Sequence, residues 1–219
     1  MKKILLFVLC LGFLACSDSQ KEQSASAKMV AIYPQIVALM EKRATGDAEG
    51  ATQIQDSLLH SGVEQYMIDD SVALIARAAI SGYELILPNE LNAHSDDFVI
   101  IATLPRGIYN LGLIPNAKHF EFALSPSLNP DGSEWNWESD ALSRSQEDFI
   151  QLLGQKKDAK IVFYDSGEYI TAPMGSAHIG IMWAQRLGYT QLYRLVGGLN
   201  AWKDLGLPLT TEVPHCCKM

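Results

Sequence analysis

The sequence predicts an α/β protein: a mainly parallel sheet flanked by helices, preceded by a short helical segment. Three observations predict this. FVIIA at residues 98–102 and KIVFYD at 160–165 are near-continuous apolar runs, the pattern of strands buried on both faces. Segments with helical apolar spacing stand between and after them, which is the order a parallel sheet with crossover helices requires. Over residues 29–81 the apolar period is helical. With 219 residues, 48% hydrophobic and 19% charged, the chain has mass for one medium domain with an appendage, or for two small ones. A net charge of −8 offers no basic face for phosphate, so nucleic acid is excluded as a partner.

Residues 1–15 read as an address. Lys2 and Lys3 precede an apolar run from Ile4 to Leu14, too short to span a bilayer as a helix. A charged start, a short apolar middle and small residues at the exit make a secretory signal peptide. The exit Phe13-Leu14-Ala15-Cys16, followed by the polar stretch SDSQKEQSASAK, resembles the bacterial lipobox. That resemblance implies cleavage before Cys16, lipidation of Cys16, and a flexible tether over 16–28 that holds the fold off the membrane. A plain signal peptide cut nearby and an uncleaved anchor are the alternatives. The expected location is therefore the bacterial cell envelope, exported and lipid-anchored, facing the periplasm, with inner and outer membrane both open. The expected partners are the membrane, through the anchor, and another envelope protein.

Residues 29–81 form the helical N-terminal segment. Tyr33, Ile36, Val37 and Met40 share one helical stripe, which Gly46 ends; Ile54, Leu58 and Leu59 make a second that ends near Gly62. A third, with Asp69, Asp70 or Ser71 as its cap, holds Ile68, Val72, Ile75 and Ala79 and stops at Gly82. Then YELIL reads as a strand, PNELNAHSD as a short helix and FVIIA as a buried strand. Ser125 to Ser143 is a long loop rich in Pro, Gly and Ser, containing Trp135 and Trp137. Phe149, Leu152 and Leu153 mark a helix ahead of KIVFYD. Ser176 to Leu187 is helical, QLYRLV is a strand, Gly197-Gly198 a turn, and LNAWKDLG the last helix.

KIVFYD, a loop, a helix ending in RLGY and then LYRLVGGLNAWKDLGLPL resemble the second half of a rhodanese domain. The most specific part is Gly197-Gly198 with Trp202, Gly206 and Pro208. GLIPNA at 112–117 is similar to that family's GHIPGA, and FVIIA to the strand before it. The resemblance covers residues 83–210. It implies a five-stranded parallel sheet with an active-site loop after KIVFYD, where the family's reactive cysteine sits in a ring of backbone amides. Here that position is Asp165, and no cysteine lies between Cys16 and Cys216. The family's Asp-x-Arg after the first buried strand is Ala102-Thr103-Leu104, and the histidine of GHIPGA is Leu113. The site is therefore degenerate, sulfurtransferase-like in fold, and expected to be a pseudoenzyme.

A carboxylate in such an amide ring can accept two or three N–H bonds, so Asp165 is expected to plug the loop from within. A catalytic carboxylate paired with His178 is the alternative. So is a small-ligand site with Ser166, Glu168, Tyr169, Thr171 and Ser176 as polar contacts. The tail 211–219 ends in His215, Cys216, Cys217, Lys218 and Met219. Adjacent Cα atoms lie about 3.8 Å apart, closer than a relaxed disulfide prefers, so a vicinal disulfide would be strained and easily reduced. Thiol redox or sulfur relay through Cys216 and Cys217 is one reading. A soft metal ion on His215, Cys216, Cys217 and Met219 is another, and an unselected tail a third. No other cofactor is expected. The reading that follows is an envelope lipoprotein whose rhodanese-like domain is a binding or scaffold module in sulfur or metal handling. A sulfurtransferase, thiol redox protein or soft-metal carrier based on the tail is its rival. Palmitate labelling of the wild-type chain, lost in Cys16→Ala, is the expected result in a bacterial host; labelling that persists would refute the anchor.

Overall fold

The computed structural model describes residues 24–109, 111–122, 142, 144–167 and 175–212. Its centre is a five-stranded sheet: β1 (Glu84–Ile86), β2 (Val99–Ala102), β3 (Lys118–His119), β4 (Lys160–Tyr164) and β5 (Gln191–Leu195). The spatial order is β1-β5-β4-β2-β3, and every pairing is parallel. Side-chain alternation divides β4 between two cores. Ile161 and Phe163 face one side, with Phe149 and Leu153 of α6 (Gln146–Leu153) and Ile179 and Trp183 of α7 (Ser176–Arg186). Val162 and Tyr164 face the other, with Leu91 of α4 (Pro88–Ala93) and Leu199 and Trp202 of α8 (Gly198–Asp204); the one-turn α5 (Arg106–Tyr109) follows β2. Both faces are covered, which is why these strands read as unbroken apolar runs.

Three helices precede the sheet: α1 (Ala25–Ala44), α2 (Ala48–His60) and α3 (Gln65–Ser81). Their stripes build a small core of their own from Ile32, Ile36, Leu39, Ala51, Leu58 and Ile68. Two of them also dock on the sheet, where Met29 of α1 and Leu74 of α3 close over Val196. The stripe on α1 is turned by one residue from the expected one, with Ile32 and Leu39 buried and Tyr33 and Met40 at its margin.

Two expected boundaries move. The tether, expected over 16–28, gives way to helix at Ala25, because the Ser24 hydroxyl accepts from the Ala27 N–H and caps α1. Ser26 and Ala27 are buried. The third helix starts at Gln65 after Glu64, with no side-chain cap, so Asp69, Asp70 and Ser71 lie inside it. The buried Ser71 hydroxyl donates to the Met67 carbonyl a turn earlier, a local bond that satisfies it mid-helix. The ends at Gly46, Gly62 and Gly82 all have positive φ. The long loop expected over 125–143 lies outside the described residues except at Leu142, which pairs antiparallel with Phe122.

Gly197 and Gly198 join β5 to α8, both with positive φ. A Cβ on Gly198 would stand 2.5 Å from the Asp165 carbonyl oxygen and 2.7 Å from the Gly167 nitrogen. Gly206 has φ +67 with open space around it. Gly198→Ala should therefore cost roughly 3 kcal/mol, combining backbone strain with a backbone collision, while Gly206→Ala costs about 1 kcal/mol from strain alone. Urea unfolding of the two variants checks this; equal losses would contradict the collision.

Candidate functional site

β4 ends at Tyr164, and the chain turns over the carboxyl edge of the sheet, where open parallel sheets place their ligands. The first loop residues are fixed through their main chain. The Leu199 N–H donates to the Asp165 carbonyl and the Asn200 N–H to the Ser166 carbonyl, each at 2.9 Å, tying the loop to the start of α8. The Ser26 hydroxyl donates to the Gly167 carbonyl at 2.7 Å, tying it to α1.

The Asp165 side chain faces two different donors. Its Oδ1 accepts from the Gly167 N–H at 3.1 Å, and its Oδ2 accepts from Nη2 of Arg194 at 3.0 Å. The expectation of a carboxylate held by two or three loop amides is thus met by one amide among the described residues, and the larger partner is a cation. Arg194 comes from β5, in phase with the buried Leu192, and is only 4% exposed. Burial opposes its charge, but the carboxylate of Asp165 and the neighbouring Tyr83 outweigh that and raise its pKa above the ordinary value. Nη1 of Arg194 is buried with no hydrogen-bond partner among the described residues.

Beyond Arg194 lies a neutral pair. The Tyr83 hydroxyl is 3.1 Å from Nδ1 of His178. Burial, then the charges of Arg194 and Arg77, push the His178 pKa down to about 3. Burial raises that of Tyr83. At neutral pH the imidazole is uncharged, and its Nδ1 bond goes to Tyr83 instead of forming a dyad with Asp165. Ser176 is buried, and its hydroxyl is shared with Thr103: 2.8 Å to Thr103 Oγ1 and 3.1 Å to the Thr103 carbonyl. Thr103 Oγ1 also donates to the Tyr164 carbonyl at 3.0 Å, so this group fastens β2 to β4 and α7.

Ala102, Leu104 and Leu113, which stand where the resembling family has polar residues, all belong to the apolar core beneath α8. Of the other expected site residues, Ser166 is half-buried beside Asp165. Glu168, Tyr169, Thr171, Cys16, His215, Cys216, Cys217 and Met219 lie outside the described residues, as do Trp135 and Trp137. Among the described residues no group of three or more His, Cys, Asp or Glu is placed to hold a metal ion. No described helix is long and apolar enough to cross a membrane. Sequence reasoning missed Arg194, Tyr83 and Ser26. Arg194 alone left a signal: it is the single charge inside QLYRLV, in phase with an apolar neighbour.

The rhodanese-like domain model matches residues 87–205. Among solved structures, the chain is similar to the 3-mercaptopyruvate sulfotransferase of Escherichia coli, at 24% identity over 60% of this chain and 53% of that one, with a TM-score of 0.41. A protein of unknown function from Rhodopseudomonas palustris, described as a possible tyrosine phosphatase, is 20% identical over 64% of this chain and 93% of its own (TM-score 0.39). A rhodanese-related protein from Thermoplasma volcanium is 13% identical over 59% and 100% (TM-score 0.38). The chain thus spans about half of the sulfotransferase. No curated protein matches it.

The buried imidazole makes stability depend on pH in a known direction. Its folded pKa of about 3 lies below the ordinary 6.5, so the unfolded chain takes the proton first. The contribution of His178 is complete above pH 6.5 and is lost as pH falls toward 3, at up to about 1.4 kcal/mol per unit. Chemical denaturation at pH 7, 5.5 and 4 should show a steeper loss in wild type than in His178→Phe; parallel curves would contradict the burial.

Proposed function

The chain belongs to the rhodanese-like domain family, and on that premise we propose that it is an exported, lipid-anchored envelope protein whose rhodanese-like domain is a binding or scaffold module. In this reading the domain does not transfer sulfur itself. The observation that carries it is the Asp165–Arg194 pair at the end of β4. A sulfurtransferase of this fold needs a thiolate there to hold sulfane sulfur, and a carboxylate cannot form that bond. The carboxylate is also engaged by a buried guanidinium, so freeing it as a nucleophile or base would strand a cation in the interior. His178, neutral and bonded to Tyr83, is no proton acceptor for it.

Lipidation at Cys16 gives the module its place in this proposal, with the membrane and a second envelope protein as partners. Supporting it are the Lys2-Lys3 start, the short apolar run and the FLAC exit. A soft metal or sulfur species on His215, Cys216, Cys217 and Met219 would make the tail its cargo site. The described chain reaches Glu212 after Thr210 pairs with Leu113 beside the core under α8.

Sulfur transfer separates this reading from its rival. With thiosulfate or 3-mercaptopyruvate as donor, and cyanide or a small thiol as acceptor, the purified protein should give no rate above the protein-free background. Turnover that disappears in Cys216→Ser/Cys217→Ser would replace the binding module by an enzyme using a displaced thiol. Turnover that survives the double change but falls in Asp165→Asn would place chemistry at the carboxylate.

A further inference from the structure

The three N-terminal helices lie outside residues 87–205, the part that matches the rhodanese-like family. Between the first turns of α1 and the turn from α2 into α3 they form an open cavity of about 230 Å³. Its apolar surface comes from Ile32, Val63 and Met67, and its charged surface from Lys28 of α1 and Glu64 at the start of α3. Ile32 and Met67 are buried, and Val63 packs against the same small helical core as Ile32. The floor of the cavity is thus the edge of that core.

The walls are fixed before anything enters. In the α2–α3 turn the Val63 N–H donates to the Leu58 carbonyl at 3.1 Å and the Gly62 N–H to the Leu59 carbonyl at 3.0 Å. The Ser61 hydroxyl donates to the Leu58 carbonyl at 2.7 Å, so it is spent inside the turn. Ile32 and Ile36 hold the facing wall, α1, to the core. A preformed space with an apolar floor and a few polar groups is the ordinary form of a small-molecule site. Glu64 is the residue before α3 but makes no side-chain cap bond to it. Lys28 and Glu64 form no ion pair with each other or with another described residue.

Opposite charges on two facing elements select the ligand. A simple anion would use Lys28 alone and a simple cation Glu64 alone. A small zwitterion with an apolar body uses both and also covers the floor, taking apolar surface from water. The volume is below the roughly 300–1,000 Å³ of drug-sized sites, which suits one amino acid and not an oligomer or a nucleotide cofactor.

We infer that this cavity binds a free amino acid with an apolar side chain. Its carboxylate meets Lys28, its ammonium meets Glu64, and its side chain lies on Ile32, Val63 and Met67 beside the Tyr66 ring. The site is independent of the loop after β4 and stands whether or not the domain transfers sulfur. Both ionic contacts lie at a solvated rim, where each contributes little, so Kd is on the order of 1 mM.

L-Leucine is the probe. Titrated into the full mature chain, it should move the methyl resonances of Ile32 and Met67 along one saturating curve. Glycine lacks the apolar body, N-acetyl-leucine the ammonium and leucine amide the carboxylate; each should bind at least about twofold more weakly. Lys28→Gln and Glu64→Gln should each weaken leucine about two- to fivefold. Lys28→Gln should leave the affinity for leucine amide unchanged, and Glu64→Gln that for N-acetyl-leucine. Ala31, exposed on the α1 wall, can carry a larger side chain without disturbing the core, so Ala31→Phe should fill the space and abolish binding at unchanged Tm. No saturable methyl shift with leucine would overturn the site. So would leucine affinity unchanged in both charge variants, analogues that bind as tightly as leucine, or full binding in Ala31→Phe.

Discussion

A buried guanidinium organises the carboxyl edge of this sheet. Arg194 is the fourth of the five residues of β5 and is almost wholly buried, so its charge has to be met inside the fold. Asp165 meets it from the end of the adjacent strand. Parallel pairing makes this possible: β4 and β5 run side by side with Phe163 opposite Arg194, so the residue two beyond Phe163 overhangs the guanidinium. The geometry of the first loop residues follows. Asp165 must point toward β5, its main chain must lie against Gly198, and only glycine leaves room there.

The N-terminal helices join the domain beside this pair. Ser26 reaches the Gly167 carbonyl, the Ser24 N–H donates to Asp204 of α8, and Met29 and Leu74 seal the space beside Arg194. These helices therefore have two roles. Ile36, Leu39, Leu58 and Ile68 hold them to one another, while a few residues at the start of α1 and on α3 grip the edge of the sheet nearest the loop.

At the positions where related domains present polar groups, this chain presents core. Ala102 and Leu104 are fully buried and Leu113 nearly so, all in the layer that holds Trp202. Apolar residues there stabilise the fold by removing surface from water, and none can bind an anion or relay a proton. Polar function is concentrated instead in the line Asp165, Arg194, Tyr83 and His178, in which the two ends differ: a charged pair toward the loop, and a neutral pair toward α7.

Much of the architecture was legible from the order of residues alone. Strands buried on both faces announce themselves as apolar runs, as 98–102 and 160–164 did, and glycines at 46, 62 and 82 ended helices because their positive φ suits a helix terminus. The missing cysteine was legible too, since one residue type at one position is a matter of reading. Cap choices and stripe phase were less so: Asp69, Asp70 and Ser71 are good caps, yet packing of Met67 and Ile68 carried the helix past them to Gln65. What meets Asp165 was decided only in three dimensions. Arg194 is 29 residues away and Ser26 is 141 from Gly167, separations at which no local pattern encodes a contact. The chain by itself determined that a carboxylate would stand at the end of β4. Parallel strand pairing, by bringing β5 alongside, determined that its counter-charge would be a buried arginine.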